Sequence, residues 1–213
     1  MPDDDIFTGN DCANADAQKR LIATIAKRMV DFISLSYQKY THMSQKPDKS
    51  KNKNHRGSAS QFFVAGELCR RDHVAVVTMG NTPNTDILCS NVEGTKFIHI
   101  QVKTYVPTAK GGGTVSVGLK AEKYFGENFI WVLGGIPTPN SDVPFEYYII
   151  PSKEMSKNIL KSHKLWMETP GAKGQAHNDN SMRTVRLPPK SDIAGWNVAQ
   201  YKNRWDIIEE LLK

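Results

Sequence analysis

The apolar and polar positions divide the chain into an N-terminal helical segment and a longer stretch in which strands and helices follow one another. Between residues 14 and 43, apolar side chains recur every three or four positions, which predicts a long amphipathic helix. Its apolar stripe must be buried, either on the rest of the chain or on a second copy of it. The stripe consists of Leu21, Ile22, Ile25, Met29, Phe32, Ile33, Tyr37 and Tyr40.

The longer stretch has the signals of a mixed α/β domain. Helices are predicted over residues 60–71, with Ser58 or Ser60 as the N-cap, from Ser152 to about Trp166, and from Tyr201 to Leu212. Short apolar runs predict strands at residues 73–79, 87–89, 97–102, 114–119, 129–133, 145–150 and 182–187. We therefore expect an α/β fold with a mixed central β-sheet flanked by helices.

A basic polar segment separates the two parts. Residues 45–58 read QKPDKSKNKNHRGS and contain no apolar side chain, which predicts a solvated linker. We expect three parts: an N-terminal tail and helix over residues 1–45, a linker over 46–58, and a folded domain over 59–213. The linker is either a flexible loop without a specific role or an arm that contacts phosphate groups.

Composition limits the classes of protein to consider. The chain has 213 residues, of which 39% are hydrophobic and 23% charged, enough for a packed domain and too apolar for wholesale disorder. No apolar run approaches the roughly 20 residues of a membrane span, and the acidic N-terminus has no signal pattern. Three cysteines without metal-ligand spacing are typical of a reducing compartment. We therefore expect a cytoplasmic protein with no membrane contact; its net charge of +6 is compatible with a polyanionic partner.

One predicted hairpin carries the candidate chemistry. Residues 81–104 read NTPNTDILCSNVEGTKFIHIQVKT, and Asp86 opens the first strand. In the second strand, alternation places His99, Gln101 and Lys103 on one face and apolar residues on the other. A carboxylate, an amide oxygen and an ammonium at one place suit a hard cation and a phosphate ester.

Other local catalytic motifs are absent from the sequence. The glycine run Gly111–Gly113, which follows Lys110, lacks the GxxxxGK[ST] spacing of a nucleoside-triphosphate loop. The sequence also contains no HExxH, GxSxG or GxGxxG motif. The hairpin is therefore the candidate centre that remains.

In order and context, the motifs resemble those of the PD-(D/E)XK nuclease superfamily. That family has a helix, a strand, an aspartate that opens the second strand and a (D/E)xK on the third. This chain has GSASQFFVAGELCRRDHVAVVTM, then PNTD, then IHIQVKT, and its FEYYIIPSKEM resembles the family's strand-then-helix continuation. QVKT in place of (D/E)xK resembles the branch of intron-type homing endonucleases and archaeal Holliday-junction-resolvase-like nucleases. The resemblance covers residues 57–157 and implies a restriction-endonuclease-like core, here with an N-terminal helical extension.

The resemblance also implies an activity and its residues. The chain would be a Mg²⁺-dependent endodeoxyribonuclease, Mn²⁺ being an alternative metal, with Asp86, Gln101 and Lys103 as catalytic residues. Asp86, Gln101 and the backbone carbonyl of Val102 would hold the metal. Lys103 would orient or deprotonate the attacking water. Supporting positions would be Gln61, Glu67 and His99, and the residues expected to contact DNA are Lys49, Lys51, Lys53, Arg56, Lys110 and Lys120.

Two neutral residues depart from the family pattern and keep alternatives open. Gln101 replaces the usual acid, and Gln61 stands where many relatives carry an acid on the first helix. Glu67 lies about 240° around that helix from Gln61 and cannot replace it on the same face. Asp86 is then the one firm anionic ligand, and a nuclease-like module that binds nucleic acid without catalysis is the alternative function.

The hairpin residues also have purely structural interpretations. Asp86 could satisfy turn backbone groups, and Gln101 and Lys103 could form the polar face of a half-solvated strand. If the chain is a nuclease, each site cuts one strand, so cleavage of a duplex favours a homodimer.

Overall fold

The computed structural model describes residues 53–79 and 82–213, together with a few positions between 20 and 31 that are helical. The chain divides into two units, Met1–Ser50 and Lys51–Lys213. Most of the amphipathic segment, the dimer contact considered for it, and most of the basic linker lie outside the described residues.

The second unit contains three α-helices and seven strands in its described part. The helices are α1 (Lys53–Cys69), α2 (Ser152–Glu168) and α3 (Asp206–Leu212). The strands are β1 (Val74–Val77), β2 (Ile87–Ser90), β3 (Phe97–Tyr105), β4 (Thr114–Ser116), β5 (Phe129–Gly135), β6 (Glu146–Pro151) and β7 (Thr184–Arg186). Two 3₁₀ turns, Leu119–Glu122 and Val198–Tyr201, complete the regular structure.

Five of the strands form one mixed sheet in the order β1-β2-β3-β5-β6. Only the central pair, β3 and β5, is parallel, and the other neighbours run antiparallel. Strands β4 and β7 form a separate antiparallel ribbon. The sheet with helices on its faces confirms the predicted fold class, an α/β fold with a mixed central sheet flanked by helices.

Alternation along the strands sends apolar side chains to two cores, one on each face of the sheet. On the first face, helices α1 and α3 contribute Leu68 and Ile208 to a cluster that includes Ile100 of β3. On the second face, Met155 of α2 packs in a cluster with Trp131 of β5. The even-numbered residues of β3 are buried from Ile98 to Val102, while Gln101 and Lys103 are only half-buried. The polar face predicted for this strand is therefore confirmed, and it lies on the second face of the sheet.

Two helix boundaries differ from those predicted. Helix α1 begins at Lys53, inside the segment predicted to be a linker, so neither Ser58 nor Ser60 is its N-cap. Helix α3 begins at Asp206 instead of Tyr201. The cause is Asn203, which has a left-handed φ of 54° and exchanges hydrogen bonds with the backbone of Tyr147 on β6. That contact holds the chain against the sheet edge and interrupts the helical pattern.

Candidate active site

Asp86 and Gln101 meet across the β2–β3 pair. The register that pairs Ile87 with Ile100 places Asp86 opposite Gln101, and the Asp86 N–H donates to the Ile100 carbonyl at 2.9 Å. The side-chain Nε2 of Gln101 donates to Oδ2 of Asp86. The backbone N–H of Val102 donates to the same oxygen at 2.7 Å. The Asp86 carboxylate is therefore held at the start of β2 by two donors from β3.

This arrangement leaves two oxygens available. Because Gln101 points its NH₂ group at the carboxylate, its Oε1 is the free end of the amide. Neither this oxygen nor Oδ1 of Asp86 accepts a hydrogen bond from any described residue. Carboxylate and amide oxygens are the ligands that Mg²⁺ prefers. Val102 contributes its N–H, whereas metal binding by its carbonyl stays a prediction.

Lys103 lies two residues beyond Gln101 on the same face of β3 and is half-buried. Its ammonium makes no hydrogen bond or ion pair with any described residue, in contrast to Lys202, which pairs with Glu146 at 2.6 Å. A half-buried lysine commonly buries its aliphatic stem and keeps its ammonium accessible. Lys103 is thus the cation of this face that is free to meet an anion.

The three supporting positions occupy different places. His99 is exposed on the same face as Gln101, and its Nδ1 lies 3.2 Å from Oγ1 of Thr85, the residue before Asp86. Gln61 is half-buried on α1 and makes no hydrogen bond to the candidate centre. Glu67 pairs with Arg70 at 2.8 Å and does not join the site.

Glu67 belongs to a cavity on the first face of the sheet. This cavity, about 550 Å³ in volume, is also lined by Tyr147 and Trp205, which are part of the core under α1 and α3. Arg71 lies over the Trp205 ring at 5.1 Å and 3.8 Å from Glu67. Glu67 therefore belongs to an ion-pair cluster on the first face of the sheet, whereas Gln101 and Lys103 lie on the second face.

The basic residues predicted to contact DNA are only partly described. Lys49 and Lys51 lie outside the described residues, and Lys53 is the first residue of α1. Arg56 is half-buried in the same helix. Lys110 and Lys120 are exposed in the segments that flank β4.

The donor set fits an open magnesium site. Among the described residues, no group of three or more His, Cys, Asp or Glu side chains could hold a metal ion. Asp86 supplies the carboxylate of the candidate centre. Mg²⁺ commonly binds through one or two carboxylates and completes its coordination with waters and substrate phosphates. The residues present suit such a substrate-completed site and do not suit a closed structural one.

Sequence reasoning missed the partner of β4. The segments TVS and TVR pair as a ribbon, although 67 residues separate Ser116 from Thr184 along the chain. Their shared polar-apolar-polar pattern is the signal that could have identified them. Trp166, near the end of α2, is half-buried in a cleft of about 460 Å³ and stacks on His177 at 4.0 Å.

None of the helices in the described residues is long and apolar enough to cross a membrane.

Comparison with known proteins gives structural likenesses and no sequence match. No family model matches the chain, and no curated protein does. The bacterial homing endonuclease I-Ssp6803I aligns with a TM-score of 0.46 and 12% identity over 74% of this chain and 91% of its own. Hjc, a Holliday junction resolvase from the archaeal hyperthermophile Archaeoglobus fulgidus, aligns with a TM-score of 0.31 and 13% identity over 65% of this chain and 96% of its own. A homing endonuclease and an archaeal Holliday junction resolvase are thus among the solved structures to which this chain is similar.

Proposed function

We propose that this chain is a metal-dependent DNA endonuclease that hydrolyses phosphodiester bonds at a centre formed by Asp86, Gln101 and Lys103. One observation carries the proposal. An anchored carboxylate with a free oxygen, an amide with a free oxygen and an unpaired ammonium share one half-open face at the β2–β3 pair. A phosphodiester and a divalent cation need these groups together.

Mg²⁺ is the metal proposed for the site, and Mn²⁺ is the expected substitute. Oδ1 of Asp86 and Oε1 of Gln101 would hold it, with the Val102 carbonyl as a third candidate ligand. When bound, the ion polarises a phosphoryl oxygen and lowers the pKa of bound water.

The chain's own residues do the remaining work. Lys103 binds a non-bridging phosphate oxygen or the attacking water, and its charge offsets the negative charge that develops on the phosphoryl group. Gln101 keeps the Asp86 carboxylate in one orientation through its NH₂ group. The Val102 N–H does the same from the backbone. During hydrolysis the water oxygen bonds to phosphorus, one P–O ester bond breaks, and the leaving oxygen takes up a proton.

The substrate proposed is DNA, and the assembly proposed for duplex cleavage is a homodimer. One centre cuts one strand, so two strands are cut efficiently by two copies. A monomer, with one such centre, would cut one strand and leave a nick in the duplex.

A second candidate function is a binding module without catalysis. The observation that favours it is the neutral Gln101, which leaves the centre one negative charge short of a (D/E)xK site. The two functions differ in their metal dependence. Calorimetric titration with Mn²⁺ gives Asp86-dependent binding for a nuclease, whereas a binding module holds DNA in a salt-sensitive way that is indifferent to metal.

The direct test is cleavage of plasmid and branched DNA in Mg²⁺. Asp86→Ala should abolish cleavage, and Lys103→Ala should reduce it about 100-fold or more. Lys96→Ala, which removes an exposed lysine at the other end of β3, should cleave like the wild type. Unchanged cleavage by the first two variants would refute the assignment.

A further inference from the structure

The two faces of the β4–β7 ribbon differ in character. Its register pairs Thr114 with Arg186, Val115 with Val185, and Ser116 with Thr184. The two valines are buried, and the other four side chains are exposed. The outward face therefore presents three hydroxyls and one guanidinium, without an apolar side chain.

The ribbon lies next to the candidate centre. Val115 and Val185 belong to the same buried cluster as Tyr105, the last residue of β3. Tyr105 is two residues beyond Lys103 on the same face, about 7 Å along the strand. The ribbon therefore packs beside the end of β3 that carries Lys103.

The ribbon and its flanking segments carry an unbalanced positive charge. Within residues 106–123 and 182–190 the one acid is Glu122, and it forms a buried ion pair with Arg183. The remaining cations are exposed and have no carboxylate partner among the described residues; Lys123 lies over the Phe125 ring at 5.4 Å. These cations are Lys110, Lys120, Lys123, Arg186 and Lys190. The partner that fits this surface is a polyanion.

We propose that the β4–β7 ribbon is the element that reads duplex DNA, lying in the major groove with Arg186 against the base edges. The major groove is about 12 Å wide and admits a two-stranded ribbon, whose strands lie about 5 Å apart. An arginine fork matches the two acceptors of guanine, and serine or threonine hydroxyls bond to several bases. Lys120 and Lys190 bind the phosphates on either side. This inference rests on the proposed function, because it names the substrate contact of the same centre.

The test is binding of fluorescent duplexes by anisotropy in EDTA, where cleavage does not interfere. Combined Lys120→Ala and Lys190→Ala should weaken binding to every sequence and reduce the slope of log K against log salt by about 1.8, two phosphate contacts at about 0.9 each. Lys96→Ala, just before β3, and Arg70→Ala, just after α1, serve as controls and should leave affinity and slope unchanged.

Substitutions of Arg186 distinguish recognition of bases from the general attraction between a basic surface and DNA. Arg186→Lys keeps the charge and should keep the salt slope, but it should lose about tenfold in preference for duplexes selected by the wild type. Arg186→Ala should lose this sequence preference and should also reduce the salt slope. All the altered side chains are exposed, and thermal melting should confirm that each variant folds.

Ribbon variants that bind like the wild type, or a wild type that does not bind duplex DNA, would overturn the inference. Failure of the proposed function gives a different pattern, in which the ribbon-dependent binding persists while Asp86→Ala and Lys103→Ala leave any cleavage unchanged.

Discussion

Gln101 donates a hydrogen bond from its side-chain NH₂ group to the Asp86 carboxylate, directly across the β2–β3 pair. The Asp86 oxygen that accepts it also accepts the Val102 N–H at 2.7 Å. A glutamate in place of Gln101 would put a second carboxylate against the first. Because the Gln101 amide is neutral, it does not repel the Asp86 carboxylate when no cation is bound. It also makes the centre less negative, which weakens the attraction for a cation.

Gln101→Glu should make folding stability depend on divalent metal. In EDTA the two facing carboxylates repel, which costs up to about 1 kcal/mol and lowers Tm by about 2–4 °C. Mg²⁺ or Mn²⁺ should reverse the loss and bind more tightly than to the wild type. Thermal melts with and without metal check this, with Gln200→Glu as a control that adds the same charge at an exposed site. A Gln101→Glu protein whose Tm ignores metal contradicts a metal site here.

Lys103→Ala should separate catalysis from binding. The ammonium has no partner among the described residues, so its loss should leave Tm within about 1 °C of the wild type, as for other substitutions that break no contact. Cleavage should fall about 100-fold or more, because a cation aimed at the developing charge is lost. Duplex binding in EDTA should change no more than severalfold. If cleavage and binding fell equally, Lys103 would contact the DNA phosphate backbone without a role in catalysis.

Stability should fall steeply in alkali. Burial raises the pKa of Tyr147 and of Tyr201 to about 12 from the usual 10.0. Below about pH 10 both states keep the phenol protons, so these groups favour neither. Between about pH 10 and 12 the unfolded chain ionises while the folded chain does not, so rising pH favours unfolding. Tm measured from pH 8 to 12 should drop above pH 10, and Tyr147→Phe should make the drop shallower; a flat profile to pH 11.5 contradicts the burial.

Cys89 should react only when the domain opens. Burial raises the pKa of its thiol to about 12, and the thiolate is the reactive species. Cys69 is exposed. In a Cys12→Ser background at pH 8, a disulfide reagent should label Cys69 quickly and Cys89 at the rate of opening, with urea accelerating the second phase alone. Two equally fast thiols in the native protein would place Cys89 at the surface.

The sequence predicted the strand that organises the centre because its information is local. Alternation from Ile98 to Lys103 gives both the buried and the polar face, and an aspartate after a turn indicates where the neighbouring strand begins. Register then brings Asp86 and Gln101 together.

Other features depend on distant segments and could not be read in this way. The closing helix starts late because Asn203 binds the β6 backbone. Strand β7, the partner of β4, follows α2 along the chain, and the two strands become neighbours only in the folded domain. Glu67 is a different case, because its partners Arg70 and Arg71 lie three and four residues further along the chain, and helical spacing alone could have indicated these ion pairs.

The most direct test of the proposed centre is Mn²⁺ titration of Asp86→Asn by calorimetry, paired with its Tm and its plasmid cleavage. Asparagine keeps an oxygen that can accept the Val102 N–H, so the fold should persist. We expect a folded protein that has lost metal binding and cleavage together. A folded Asp86→Asn protein that binds Mn²⁺ and cleaves DNA like the wild type would contradict it.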